Sequence, residues 1–177
     1  MTPLEPVRQK FILHWGEMGT RWGINRTVAQ IHALLYISPL PLNAESIAET
    51  LGIARSNVSN SLKELQTWGI VKRVHAMGDK RDHFESMKDV WEMFRVVLDE
   101  RKKREIDPTL LLLDECLAES QASKGTDACT RERLLALRDF FATTTAWYDR
   151  VRNWPMKDMV KFVKLGDKAL KLLRLGG

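Results

Sequence analysis

The 177-residue sequence holds only two cysteines, four histidines and two tyrosines, and no long apolar run. Each shortage excludes something. Cys116 and Cys129 stand in no spacing pattern, so no disulfide framework is expected and the cytoplasm is the default compartment. His14, His32, His75 and His83 have no ligand-like spacing among themselves or with the cysteines, so neither a metal nor a cofactor is expected. A membrane helix needs roughly 18–20 consecutive apolar residues, and no stretch approaches that. The opening "MTPLEPVRQKF" has no apolar run behind its basic residues and is not expected to be a signal peptide. No nucleophile elbow, P-loop or dinucleotide fingerprint occurs, and "GTRWGI" lacks both the spacing and the preceding strand of a phosphate loop. Catalysis is not expected.

What is present suits a water-soluble folded chain: 44% hydrophobic and 29% charged residues, with a net charge of +5. The mild basic excess, pI near 9.3, points toward a polyanionic partner without establishing one. Helical periodicity dominates. Phe11, Ile12 and Trp15 share one side of a helix expected to open near Pro6 and fade at Gly16 and Gly19. Asn25 can cap a second helix with Val28, Ile31, Leu34 and Leu35 inward; Asn43 can cap a short third that ends at Gly52. A fourth carries Val58, Leu62 and Leu65 at i, i+4 and i+7 and ends at Gly69. The period then changes. Ile70, Val71, Val74 and Met77 suit a strand, "GDKR" a turn and "DHFES" a return strand.

From Lys88 the pattern is helical again. Val90, Trp91, Phe94, Val97 and Leu98 are expected to face inward, and Asp107-Pro108 suits the cap and first position of a further helix. Thr130 can cap the next, with Leu134, Leu137, Phe141 and Tyr148 on one stripe. A last amphipathic helix after Trp154-Pro155 would place Met159, Val163, Leu170 and Leu173 on its apolar side. The expected architecture is mainly α with a small β-hairpin wing. A winged helix-turn-helix DNA-binding domain would occupy residues 1–87 and a helical dimerisation region residues 88–177.

The fourth helix carries the chemistry. In "ARSNVSNSLKEL", serine and asparagine crowd a helix interior that they serve poorly. On a helical wheel Val58, Leu62 and Leu65 point one way; Ser56, Asn60, Lys63 and Thr67 point the other, with Ser59 alongside. Short polar side chains near a helix N-terminus can approach base edges and phosphates, and Arg55 has the reach for a guanine edge. The hairpin adds Lys80 and Arg81 at its turn, with Lys72, Arg73, His75 and His83 on its flanks. A basic hairpin beside a polar helix is a footprint of groove and backbone binding. Ala54 stands where a capping Ser or Thr belongs, which leaves Ser56 as the alternative cap.

"LNAESIAETLGIARSNVSNSLKELQTWGIVKRV" resembles the DNA-binding core of MarR-type regulators. With "HWGEMGTRWGINRTVAQIHALLYIS" before it and "GDKRDHFESMKDVWEMFRVVLDERKKREIDP" after it, the chain resembles the GbsR branch, named for control of glycine betaine synthesis, from about Phe11 to Pro108. The resemblance implies a homodimeric bacterial transcriptional regulator, typically a repressor on an inverted-repeat operator. Carried over by position, it implies that Arg55, Ser56, Asn57, Ser59, Asn60 and Lys63 read the major groove and that Lys80 and Arg81 form the wing tip.

Six tryptophans are many for this length. Either they fill core and dimer contacts, or Trp15, Trp22, Trp91 and Phe94 wall a cage for a quaternary ammonium osmolyte such as choline or betaine, bound by cation–π attraction. By chain position these four border the junction of the two expected domains. The competing functional reading is a winged-helix protein–protein interaction module without sequence-specific DNA binding. Such a module should carry apolar residues at Ser56, Asn60 and Lys63, and it does not. Apolar stripes beyond residue 88 exceed what a domain of residues 1–87 can cover, which points to a two-fold partner.

Overall fold

In the computed structural model residues 4–75, 77–122, 125, 127–155, 157–163 and 165–166 are described. The chain begins with α1 (Pro6–Arg21) and α2 (Arg26–Ile37), then β1 (Leu42–Asn43), α3 (Ala44–Leu51) and α4 (Arg55–Thr67). The hairpin β2 (Val71–His75) and β3 (Asp82–Ser86) follows. The helices α5 (Val90–Arg101), α6 (Asp107–Ala122) and α7 (Ala128–Val151) complete the order, with a π-helical turn at Lys102–Ile106 between α5 and α6. Residues 157–163 and 165–166 are helical too, whereas Leu170 and Leu173 lie outside the described residues.

The chain divides into two compact units, Met1–Val96 and Val97–Gly177. This division falls later than the expected 87/88 boundary, and Lys88 gives the reason. Its ammonium donates to the carbonyls of Leu35, Tyr36 and Ser38 at 2.9, 2.7 and 3.1 Å, closing the C-terminus of α2. With Met93 buried as well, the start of α5 belongs to the first unit.

Local signals placed most of the first unit correctly. Asn25 accepts from the Thr27 amide at 2.8 Å and Asn43 from that of Ser46 at 2.9 Å, so both cap as expected. Gly52 and Gly69 end their helices at φ of 64° and 74°, a region that favours glycine. Ile31, Leu34, Leu35, Ile47, Val58, Leu62 and Leu65 form the core of this unit, which fixes α4 by its apolar face. Burying each such side chain contributes about 1.5–3 kcal/mol.

Gly16 and Gly19 do not end α1, which runs through both of them to Arg21. They are contact residues instead. A Cβ on Gly16 would lie 2.6 Å from Gln30 Cγ, and one on Gly19 would lie 2.5 Å from Ala29 Cβ. The missing side chains let α1 and α2 approach closely. The sheet also gains a strand: β1 pairs antiparallel with β3, Leu42 opposite Phe84 and Asn43 opposite His83, giving the order β1-β3-β2.

Three expectations in the second half are corrected. Asp107 does not cap a new helix; its backbone is helical and its amide bonds to the Lys102 carbonyl, five residues back. The wider turn lets the helix continue through Pro108, which has no amide to donate. Asp127, not Thr130, caps α7, accepting from the Thr130 amide at 2.9 Å and its hydroxyl at 2.6 Å. Those bonds hold the Asp127 carboxyl below its usual range. In α5, Val90 and Phe94 do not face inward; each is 51% exposed, and Met93 takes the buried position. Within the second unit Tyr148 donates to Asp99 at 2.8 Å, and Arg138 pairs with Asp114 at 3.0 Å across α6 and α7.

Candidate nucleic-acid interface

The wheel of α4 is realised in three dimensions. Val58, Leu62 and Leu65 are buried, while Arg55, Ser56, Asn57, Asn60, Lys63 and Thr67 are exposed and Ser59 is partly so. Ser56 does not cap the helix. Ala54 occupies the cap position without a side-chain hydrogen bond, since α4 starts at Arg55, two residues earlier than a Ser56 cap would place it. The first amides of α4 therefore lack a side-chain acceptor, at the positive end of the helix.

A cleft of about 320 Å³ separates α4 from the wing. Arg55, Ser59, Lys63 and Gln66 line it from α4, Arg73 and Arg81 from the hairpin, and Glu45 from α3. A second, polar cleft of about 260 Å³ lies on the other flank of α4, between Asn57, Asn60 and Glu64 and, at the start of α2, its cap Asn25 and Thr27 of its first turn. The expected α4 set is thus divided: Arg55, Ser59 and Lys63 face the wing, and Asn57 and Asn60 face α2. Ser56 lines neither cleft. Glu45, Asn25 and Thr27 were not foreseen, because only the fold brings them beside α4; Gln66, on α4 itself, was not singled out.

The wing's cations are largely engaged. Arg81 clamps Asp79 through Nε at 3.0 Å and Nη2 at 2.6 Å, which holds the Asp79 carboxyl far below its usual range and raises the Arg81 pKa. Arg73 pairs with Asp82 at 3.1 Å and Lys72 with Glu85 at 2.9 Å. Lys80 is exposed and makes no ion pair among the described residues. On the helix side, Arg55 Nη1 pairs with Glu45 Oε1. The surface is a framework of oriented guanidinium groups set between grooves, with Lys63 and Lys80 as looser point charges.

A family model described as the MarR family matches residues 22–82, which span α2 to the start of β3. That stretch folds as a winged helix-turn-helix of the kind the model describes, and the similarities support a transcriptional regulator. Among curated proteins this chain is similar to "HTH-type transcriptional repressor GbsR" of Bacillus subtilis (strain 168), 23% identical over 93% of this chain and 89% of that protein. It is also 22% identical, over 53% of each, to "Putative HTH-type transcriptional regulator YvaV" of the same organism. A solved structure described as that of a transcriptional regulator shares the fold with a TM-score of 0.61 at 20% identity, covering 83% of this chain and 96% of that one. MarR-type relatives are regulators, not enzymes.

The four aromatic residues Trp15, Trp22, Trp91 and Phe94 are only partly brought together. Trp15 packs edge-on against Trp22 at 6.2 Å, beside Phe11 at 5.6 Å and His32 at 6.4 Å. Among the described residues no ring contact links Trp91 or Phe94 to that cluster. His32 is buried with Nε2 unpartnered, and burial followed by the nearby Lys88 charge pushes its pKa down to about 4. No described helix is long and apolar enough to cross a membrane.

Proposed function

We propose that this regulator is a cytoplasmic homodimeric repressor that recognises an inverted-repeat duplex in a sequence-specific way. The observation that carries the reading is the cleft between α4 and the wing, with Arg55, Ser59 and Lys63 on one wall and Arg73 and Arg81 on the other. Guanidinium groups held in fixed directions suit base edges, whereas the wing charges suit phosphates. The similarity to a protein named as a repressor supports the sign of regulation. The exposed positions Ser56, Asn60 and Lys63 are polar, as DNA reading requires and a protein-docking helix does not.

Dimerisation is supported by the second unit. No residue of α7 is buried, and Leu135, Leu137, Phe140 and Trp147 are 44%, 46%, 60% and 54% exposed. Apolar helix faces of that extent call for a cover, and a second copy would supply it while setting two α4 helices for half-sites about one helical turn apart. The effector reading, a quaternary ammonium osmolyte, is supported by the Trp15–Trp22 corner; Trp91 and Phe94 belong to it by chain position only.

Selection from a pool of randomised duplexes tests the reading. Enrichment of a two-fold repeat is expected, with Arg55→Ala or Asn60→Ala costing about 1–3 kcal/mol on the selected site and relaxing one base pair per half-site. Failure to enrich any sequence would refute base recognition.

A further inference from the structure

A carboxylate facing a polyanion needs a reason. Glu45 stands in the first turn of α3, where an acid suits the helix dipole, yet its Oε1 is turned across the corner onto Nη1 of Arg55. The Arg55 side chain is 66% exposed and that of Glu45 34%, so the pair contributes little to folding stability. Its geometry matters more than its strength. Glu45 and Arg55 line the same cleft as Ser59, Lys63 and Arg81, on the side expected to meet DNA. Glu45 also adds, after the larger effect of Asp79, to the attraction that keeps Arg81 charged.

We infer that Glu45 is a specificity-determining residue, which orients Arg55 toward a base edge and denies it to phosphate. This rests on the reading of α4 as the base-contacting helix. A guanidinium has five donors in one plane, so Arg55 can keep Glu45 on Nη1 and still present two donors to a guanine O6/N7 edge, which is neutral. A phosphate at the same place would bring its own charge against the Glu45 carboxylate. Phosphates occur at every step of a duplex and guanine edges only at some. Penalising the first therefore raises discrimination at the cost of non-specific affinity. The amide of a Glu45→Gln variant would keep the side chain's size and an acceptor while removing the repulsion.

The test uses the full-length chain and two probes: the duplex that the wild type selects from a randomised pool, and a scrambled duplex of the same composition. Glu45→Gln is expected to bind the scrambled duplex about three- to tenfold more tightly and to reduce the selected-to-scrambled ratio about tenfold. The salt slope on the scrambled duplex should steepen by about 0.9, since one further cation becomes available to phosphate. Glu45→Asp, which keeps the charge but shortens its reach, should fall between the two. In an Arg55→Ala background Glu45→Gln should give a much smaller shift, the part owed to the carboxylate's own repulsion of phosphate. Unchanged affinities and slope in Glu45→Gln, or an equal shift with Arg55 absent, would overturn the proposal. Unchanged selectivity in Arg55→Ala alone would instead overturn the base-reading role of Arg55.

Discussion

Alanine at Gly16 and at Gly19 should act in opposite directions although both lie inside α1 and both face α2. A glycine in a helix interior costs about 1 kcal/mol relative to alanine, so each substitution begins with a gain of that size. At Gly19 the new Cβ would lie 2.5 Å from Ala29 Cβ, against an ordinary carbon–carbon contact of about 3.5–4.0 Å. Ala29 has no rotamer to change, so the two helices must separate by about 1 Å, and overpacking of this kind costs about 1–3 kcal/mol. A net loss of up to about 2 kcal/mol is expected. At Gly16 the obstacle is Gln30, with Cγ at 2.6 Å and Cδ at 3.2 Å. That side chain can swing aside at χ1 for less than the helical gain, so Gly16→Ala should be neutral or stabilising by about 0.5 kcal/mol. Urea denaturation measures both, and Ala29→Gly in the Gly19→Ala background supplies a double-mutant cycle. Equal stabilities for the two alanine variants, or no coupling between positions 19 and 29, would refute the close-approach role.

Lys80→Ala should weaken binding to selected and random duplexes alike and lower the salt slope by about 0.9, and Arg81→Ala should weaken it more, because it also frees the Asp79 carboxylate; loss confined to the selected duplex would show the wing reading bases. His32, with a pKa of about 4 when folded and about 6.5 when unfolded, should make stability fall as pH drops from 6.5 toward 4, by about 3 kcal/mol in all, since the unfolded chain binds the proton more readily there. His32→Phe should flatten that decline in pH-dependent denaturation. Leu137→Glu with Phe140→Glu should convert a dimer to a monomer in sedimentation, and an unchanged mass would place the interface elsewhere. Choline or glycine betaine at millimolar concentration should quench tryptophan fluorescence and give heat in calorimetry; no response would leave Trp15 and Trp22 as ordinary packing residues.

Features set by near neighbours were legible in the sequence. The stripe of Val58, Leu62 and Leu65, the Asn25 and Asn43 caps and the left-handed turns at Gly52 and Gly69 each depend on a few adjacent residues. Features set across the fold were not. Gly16 and Gly19 resemble helix endings until Ala29 and Gln30 are seen against them. The strand at Leu42–Asn43 has two residues and no periodicity to detect. Asp107-Pro108 carries an ordinary start signal that the π turn overrides. At the interface, the polar face of α4 could be read from its wheel, but its division between two clefts depends on α2 and the wing. The acid beside Arg55 could not be found at all, because ten positions separate it from its partner and a different helix carries it.

Asn43 belongs to two structures at once. Its backbone lies opposite His83 in the sheet, while its side chain closes the first turn of α3. The wing is consequently no independent flap: its inner strand is pinned to the residue from which the helical corner departs. Amide protection in β3 and at the start of α3 should therefore rise and fall together, as one cooperative opening unit. A lesion at this single position would loosen the hairpin and blunt the helix together, so wing angle and helix placement are inherited as one mechanical trait.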